Sequence, residues 1–214
     1  ALLRKMVLSA TYRQSTEASP EMRRKDPENL YLARSHATRL PAEMIRDNAL
    51  AVSDLLVPKW GGPTARPYQV EVSFKPVPAD EGDGLYRRSV YTWWKRNAAA
   101  PVLTTFGAPK RDVCTVKREV TTTPIQSLIL LNDPQFMEAA RVLATRLCKT
   151  HGNDEGGLIR EAYRSLTSRQ PTEQEFAILQ SLYRGQLQEF EHDSEAANQV
   201  LKVGKAPQDE SLSL

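Results

Sequence analysis

The 214 residues carry 29 basic and 26 acidic side chains for a net charge of +3, with 40% hydrophobic and 26% charged residues. That mixture can bury a sizeable core and is far from the low-hydrophobicity, high-charge signature of a disordered chain. It also excludes a helical membrane span, because the longest apolar stretch, around Ile129, Leu130 and Leu131, falls far short of the ~20 residues a bilayer requires.

Leu2, Leu3, Met6, Val7 and Ala10 recur at helical spacing, so the chain is expected to open inside a helix. With neither an initiator Met nor a signal-peptide layout, it reads as a fragment. From Ser9 through Asp26-Pro27 the polar tract predicts turn or loop. Met44, Ile45, Ala49, Val52 and Leu56 then fall on one helical face, with Pro41 suited to the first turn and Pro58 closing the element. Between Pro58 and Gly84, five prolines and four glycines forbid long regular elements. Alternation of Tyr68, Val70, Val72 and Phe74 with polar residues predicts a short edge strand there, and residues 111–120, with Val113, Cys114 and Val116, offer a second. Leu85 to Arg96 fits either helix or strand.

The C-terminal half is written more plainly. Thr123-Pro124-Ile125-Gln126 and Asp133-Pro134 each spell a helix start: a capping side chain followed by a first-turn proline. The first helix should run to about Leu131, and the second carries Phe136, Ala140, Leu143 and Leu147 in one stripe. Leu158, Ile159, Ala162, Tyr163 and Leu166 make a third. The capping box at Thr172–Glu175 opens a fourth, with Phe176, Leu179, Tyr183, Leu187 and Phe190, and a short helix is expected over 196–203. The fold class is therefore mainly α: a helical bundle with a Pro/Gly-rich middle segment carrying a few short β-strands. The expected organisation is one domain over 1–214, truncated at both ends. It comprises N-terminal helices over 1–57, the loop and short-strand segment over 58–120, the bundle over 121–205 and a polar tail over 206–214.

Several phrases occur together in order: Ser9-Ala10-Thr11-Tyr12-Arg13-Gln14-Ser15, Tyr86-Arg87-Arg88-Ser89-Val90-Tyr91-Thr92-Trp93-Trp94-Lys95-Arg96, and Asp112-Val113-Cys114-Thr115-Val116-Lys117-Arg118-Glu119. With Thr123-Pro124-Ile125-Gln126-Ser127-Leu128 and Leu131-Asn132-Asp133-Pro134-Gln135-Phe136, they resemble the planctomycete domain of unknown function number 1553 across nearly the whole chain. The resemblance implies an exported, multidomain protein, periplasmic or at the cell surface, in which this domain follows another uncharacterised one and often a cytochrome c module. It carries no activity and no catalytic residues. Haem, where the resemblance implies it, belongs to that separate module, so no cofactor is expected in these residues.

Charge is the most informative local feature. From Leu85 to Arg118 eight basic residues face one acid, Asp112, giving +7 for the segment and leaving −4 for the rest. Arg87, Arg88, Arg96, Arg111 and Arg118 are interleaved with Tyr91, Trp93 and Trp94, and these eight are the candidate ligand-binding residues. Guanidinium forks grip carboxylate, sulfate or phosphate, and aromatic faces stack on rings. The competing reading is structural: arginines tying loops to carbonyls and tryptophans filling the core.

The other candidates are weaker. Cys114 and Cys148 are too few for a disulfide framework or zinc site, and read as two buried free thiols, or as a bridge if the protein is exported. Catalytic use of Cys114 requires a positioned base, and no motif supplies one. His36, His151 and His192 stand singly, so no metal site is expected. Glu119, Asp112 and Asp133 are the carboxylates available for glycoside cleavage, although Asp133 reads as a helix cap and Asp112 as a partner of Arg111 or Lys110. No Walker loop, G-x-G-x-x-G or G-x-S-x-G occurs. The expected function is an interaction or scaffold module whose partners are neighbouring domains of the same polypeptide and an anionic surface such as an acidic polysaccharide. The alternative is part of an enzyme acting on such a polysaccharide. Nucleic acid ranks third, because the basic residues form no recognition helix.

Overall fold

Capping side chains set most of the described helix starts in the computed structural model, which describes residues 1–36, 38–68, 78–94, 100–109 and 114–208, whereas the helices that open at Leu2, Ala42 and Pro101 have no side-chain cap. Contacts divide the chain into two compact units, residues 1–40 and 41–214.

The first unit holds α1 (Leu2–Val7) and α2 (Pro20–Lys25). The second helix corrects the expectation of loop through this tract. Ser19 accepts the amide of Met22 at 3.1 Å and Pro20 occupies the first turn, which suffices to start a helix without apolar periodicity. Buried Asp26 then accepts the amides of Leu30 and Tyr31 at 2.7 and 2.9 Å, closing the turn that follows. Those amides, the Tyr31 one foremost, hold the Asp26 carboxyl below its usual value.

The second unit holds α3 (Ala42–Val52), two 3₁₀ turns (Gly82–Tyr86 and Ser89–Tyr91), α4 (Pro101–Thr105), α5 (Pro124–Asn132), α6 (Pro134–His151), α7 (Glu155–Thr167), α8 (Glu173–His192) and α9 (Ser194–Leu201). Both expected capping boxes form, Thr123 with Gln126 and Thr172 with Glu175. α6 packs against α3, α5 and α7, and α8 packs between α7 and α9. A small core of Ala42, Ala100, Leu103, Phe106 and Ala108, with Ile45, Trp94 and Ile129 against it, joins α3, α4 and α5. Leu50 of α3 is fully buried, and truncating such a leucine costs about 2–5 kcal/mol.

Two expectations about faces need correction. Met44 points outward and Leu56 lies past the end of α3, whose buried face is Ala42, Arg46 and Leu50, with an arginine at its centre. On α6, Phe136 and Leu147 are buried as the stripe required, but Ala140 is exposed and Glu138 and Arg141 are enclosed instead. α6 is covered on several sides, so its burial follows more than one stripe. Mainly α is the observed class. The strand expected from Tyr68 to Phe74 lies, from Gln69 on, outside the described residues. Residues 114–120 form no strand, with Val116 wholly exposed. Described strand pairing is confined to two isolated parallel bridges, Val57 with Arg87 and Ala65 with Thr92.

Candidate functional site

The ambiguous stretch from Leu85 to Trp94 is neither a regular helix nor a strand; its 3₁₀ turns are stitched into the protein by arginines. Arg46 enters from α3, only 4% exposed, and donates to the carbonyls of Leu85 (2.6 Å) and Arg87 (2.9 Å), to Ser89 Oγ (3.1 Å) and to Gln135 Oε1 (2.9 Å). Burial pushes its guanidinium down to about 10, with Asp47 and Asp133 acting the other way. Ser89 is held from its other side, its amide donating to Asp47 Oδ1 at 2.7 Å.

Arg87 runs outward from this seam and ties down the loop over 59–63. It is 5% exposed and donates to the carbonyls of Lys59, Gly61 and Pro63, while its guanidinium lies 4.2 Å from the Tyr91 ring centroid. The Tyr91 hydroxyl accepts the amide of Gly61 at 2.9 Å. Gly61 and Gly62 have φ of +68° and +86°, a turn that L side chains resist. At the tip of this fastened loop Trp60 stands 80% exposed, with the Arg88 guanidinium 5.6 Å from its ring centroid. An indole carried on a fastened backbone, with a cation near its ring and otherwise open to solvent, presents a flat apolar surface beside a positive charge.

The candidate residues therefore separate. Arg87 and Tyr91 face inward as fasteners, which removes Arg87 from any open surface. Trp94 packs on the core, and Trp93 is half-buried with Arg66 at 5.8 Å from its ring. Arg118 is a two-pronged partner of Glu43 on α3, at 2.6 and 3.2 Å. Arg88 alone of the described set combines exposure with an exposed ring. Arg96 and Arg111 lie outside the described residues, as do Lys95, Lys110 and Asp112. Asp133 is buried at the start of α6 and accepts the amide of Gln135 at 2.9 Å; burial raises its carboxyl. Glu119 is exposed. Cys148 is half-buried as a free thiol, whereas Cys114, also free, is exposed rather than buried. Among the described residues, no three His, Cys, Asp or Glu side chains group closely enough to hold a metal ion, and no helix is long and apolar enough to cross a membrane.

A second cluster forms around α6. Glu138, 0% exposed, accepts the hydroxyls of Tyr86 at 2.8 Å and Tyr68 at 3.3 Å and the amides of Lys205 and Ala206. Burial first, and the Glu138 carboxylate second, raise both tyrosine hydroxyls, that of Tyr86 well above its ordinary range. Composition and spacing could not have marked this glutamate, since on α6 it reads as one more polar residue between apolar ones.

Compared with known protein families, residues 1–183 match the model described as Protein of unknown function (DUF1553), PSD1. The chain belongs to the DUF1553 family. No curated protein and no solved structure matches it. Within the DUF1553 match lie the Arg46 seam, the Trp60 loop, Glu138 and Arg141, while the second half of α8, α9 and residues 203–207 fall beyond it. Trp60 is the surface residue that sequence reasoning passed over. It sits outside the dense basic run, and only the fold brings Arg88 to it across 28 residues of chain.

Proposed function

We propose that this DUF1553 chain is an interaction module of an exported, multidomain protein, and that its Trp60–Arg88 surface binds an anionic, ring-bearing partner of the sulfated or uronic polysaccharide class. The observation that carries the reading is the open indole on a loop immobilised by Arg87. A binding surface of this kind has its ordering entropy already met by internal hydrogen bonds, so little remains to be lost when a ligand arrives. The sugar ring would stack on Trp60 while Arg88 meets a sulfate or carboxylate. The scaffold half of the reading is supported by α5, whose Ile125, Leu128 and Leu131 are exposed in a stretch from Val120 to Asn132 that holds no charged residue. An apolar face of that kind suits a neighbouring domain of the same polypeptide.

Retention on a sulfated polysaccharide, followed as salt is raised, tests the surface. Wild type should be retained, and Trp60→Ala and Arg88→Ala should each elute at clearly lower salt, while Arg118→Ala, whose guanidinium is already engaged by Glu43, elutes as wild type. Equal retention of all four would sink the reading. New reducing ends, lost in Glu119→Gln, would replace it with a hydrolase.

A further inference from the structure

Two opposite charges on one helix are both met here by the main chain of one short segment rather than by each other. Glu138 and Arg141 lie three residues apart on α6, so both project from the same side, and neither belongs to the Trp60–Arg88 surface. Beside the Tyr68 and Tyr86 hydroxyls on Glu138, what encloses them is the stretch Val203–Pro207, which follows α9. Glu138 Oε1 accepts the amides of Lys205 and Ala206, each at 2.6 Å. Arg141 donates to the carbonyls of Ala206 at 2.8 Å, Pro207 at 3.2 Å and Val203 at 3.3 Å. The acid takes the donors and the base takes the acceptors of the same five residues. All of these are charge-assisted bonds to peptide groups, so they read a backbone conformation rather than a set of side chains.

Side-chain demands enter at two places only. Gly204 adopts φ +92°, and a Cβ there would overlap the Glu138 side chain, so the site requires glycine. Ala206 is buried, so a small residue is wanted two positions later. Lys205 between them is exposed, its ammonium reaching Glu81 at 3.5 Å.

The resident segment is also an incomplete ligand. Glu138 Oε2 is enclosed and has no hydrogen-bond partner among the described residues. A buried acceptor left unmet is costly, and a segment that supplied one more N–H or O–H at that point would bind better. Glu138 and Arg141 fall within the family match, whereas their occupant does not.

We propose that the Glu138–Arg141 face of α6 is a binding site for peptide main chain, selecting a bent segment with glycine followed two residues later by a small side chain. Val203–Pro207 occupies it in cis, and a partner segment of the same pattern that also donates to Glu138 Oε2 displaces it.

Hydrogen exchange on the full chain reads the occupant directly. The Lys205 and Ala206 amides should exchange at least about 100-fold more slowly than in an unstructured peptide, like interior helix amides. Gly204→Ala should speed both at least about 10-fold, and Lys205→Ala should leave the Ala206 amide unchanged. A synthetic peptide of residues 201–208 should bind Gly204→Ala, and the same peptide with alanine for its glycine should not. Persistent slow exchange in Gly204→Ala, no binding, or equal binding of the two peptides overturns the proposal. If Gly204→Ala loses its helical circular dichroism, wild type carries the test. Tethering gives the cis segment an effective concentration on the order of mM, so about 10 mM unlabelled peptide should accelerate exchange of the protein's own two amides several-fold, and no acceleration overturns displacement.

Discussion

Arg46 on α3 and Gln135 in the first turn of α6 meet in the interior, Nη2 to Oε1 at 2.9 Å, across 89 residues of sequence. That contact and the three others Arg46 makes fix the 3₁₀ turns beneath the candidate surface. Arg46→Ala would leave the carbonyls of Leu85 and Arg87 buried without donors, and the unfolding free energy in urea should fall by about 3–5 kcal/mol. Arg46→Lys should recover less than half of the loss, because one ammonium cannot fork to four acceptors. A loss below about 1 kcal/mol for the alanine variant would contradict this account of a buried arginine.

Alkaline pH should reduce the stability that the Tyr86–Glu138 contact contributes. Folding raises the Tyr86 hydroxyl above the ordinary value of 10.0, so above that pH the unfolded chain gives up this proton while the folded chain keeps it. Stability from this group is therefore complete below pH 10 and declines as pH rises. Arg46, pushed down to about 10 from 12.5, contributes with the opposite sign in the same range, so the variant is compared with wild type at each pH. At neutral pH Tyr86→Phe should be less stable by about 1–2 kcal/mol, and that gap should narrow above pH 10. A gap constant to pH 11 would show that the hydroxyl is not tied to Glu138.

Acid should act at the α7–α8 junction. Glu175 accepts Arg169 through both oxygens, at 2.7 and 2.8 Å, together with the Tyr163 hydroxyl and the Thr172 amide. The Arg169 bonds first, and the Thr172 amide next, hold its carboxyl far below the ordinary 4.5. Its stabilisation is fully present above the unfolded value and is lost progressively as pH falls below it. Thermal unfolding of wild type and Glu175→Gln should differ most above pH 5 and converge steadily between pH 4.5 and 2. Parallel curves through that range would rule the capping carboxylate out as the cause.

Arg87 should affect ligand retention without touching a ligand. Its guanidinium fastens the loop over 59–63, so Arg87→Ala should make the Lys59–Trp60 bond at least about 10-fold more sensitive to trypsin and also weaken polysaccharide retention. Retention lost without increased cleavage would make Arg87 a direct contact instead.

The structural reading describes part of the basic run. Arg87 is consumed internally by carbonyls, Arg118 is paired with Glu43 at the surface, and Trp94 packs on the core. Arg88 remains outside. Nothing in the spacing of Arg87-Arg88 distinguishes the two neighbours, because successive residues here point to opposite sides of the same irregular segment and only the surroundings decide which is enclosed.

The sequence by itself determined where most helices begin and how they turn, since a cap bonds an amide two or three residues away and that chemistry is complete within a few positions: Thr123 with Gln126, Asp133 with Gln135, Thr172 with Glu175. It also determined the mainly α class, through periodicity. Only the tertiary structure decided which charges are buried. Arg46, Glu138 and Arg141 read as surface residues on their helices, and they become interior ones because carbonyls and amides from segments 39 to 68 residues distant close over them. Local physics sets the elements, while desolvation of a charge depends on what the rest of the chain brings to it.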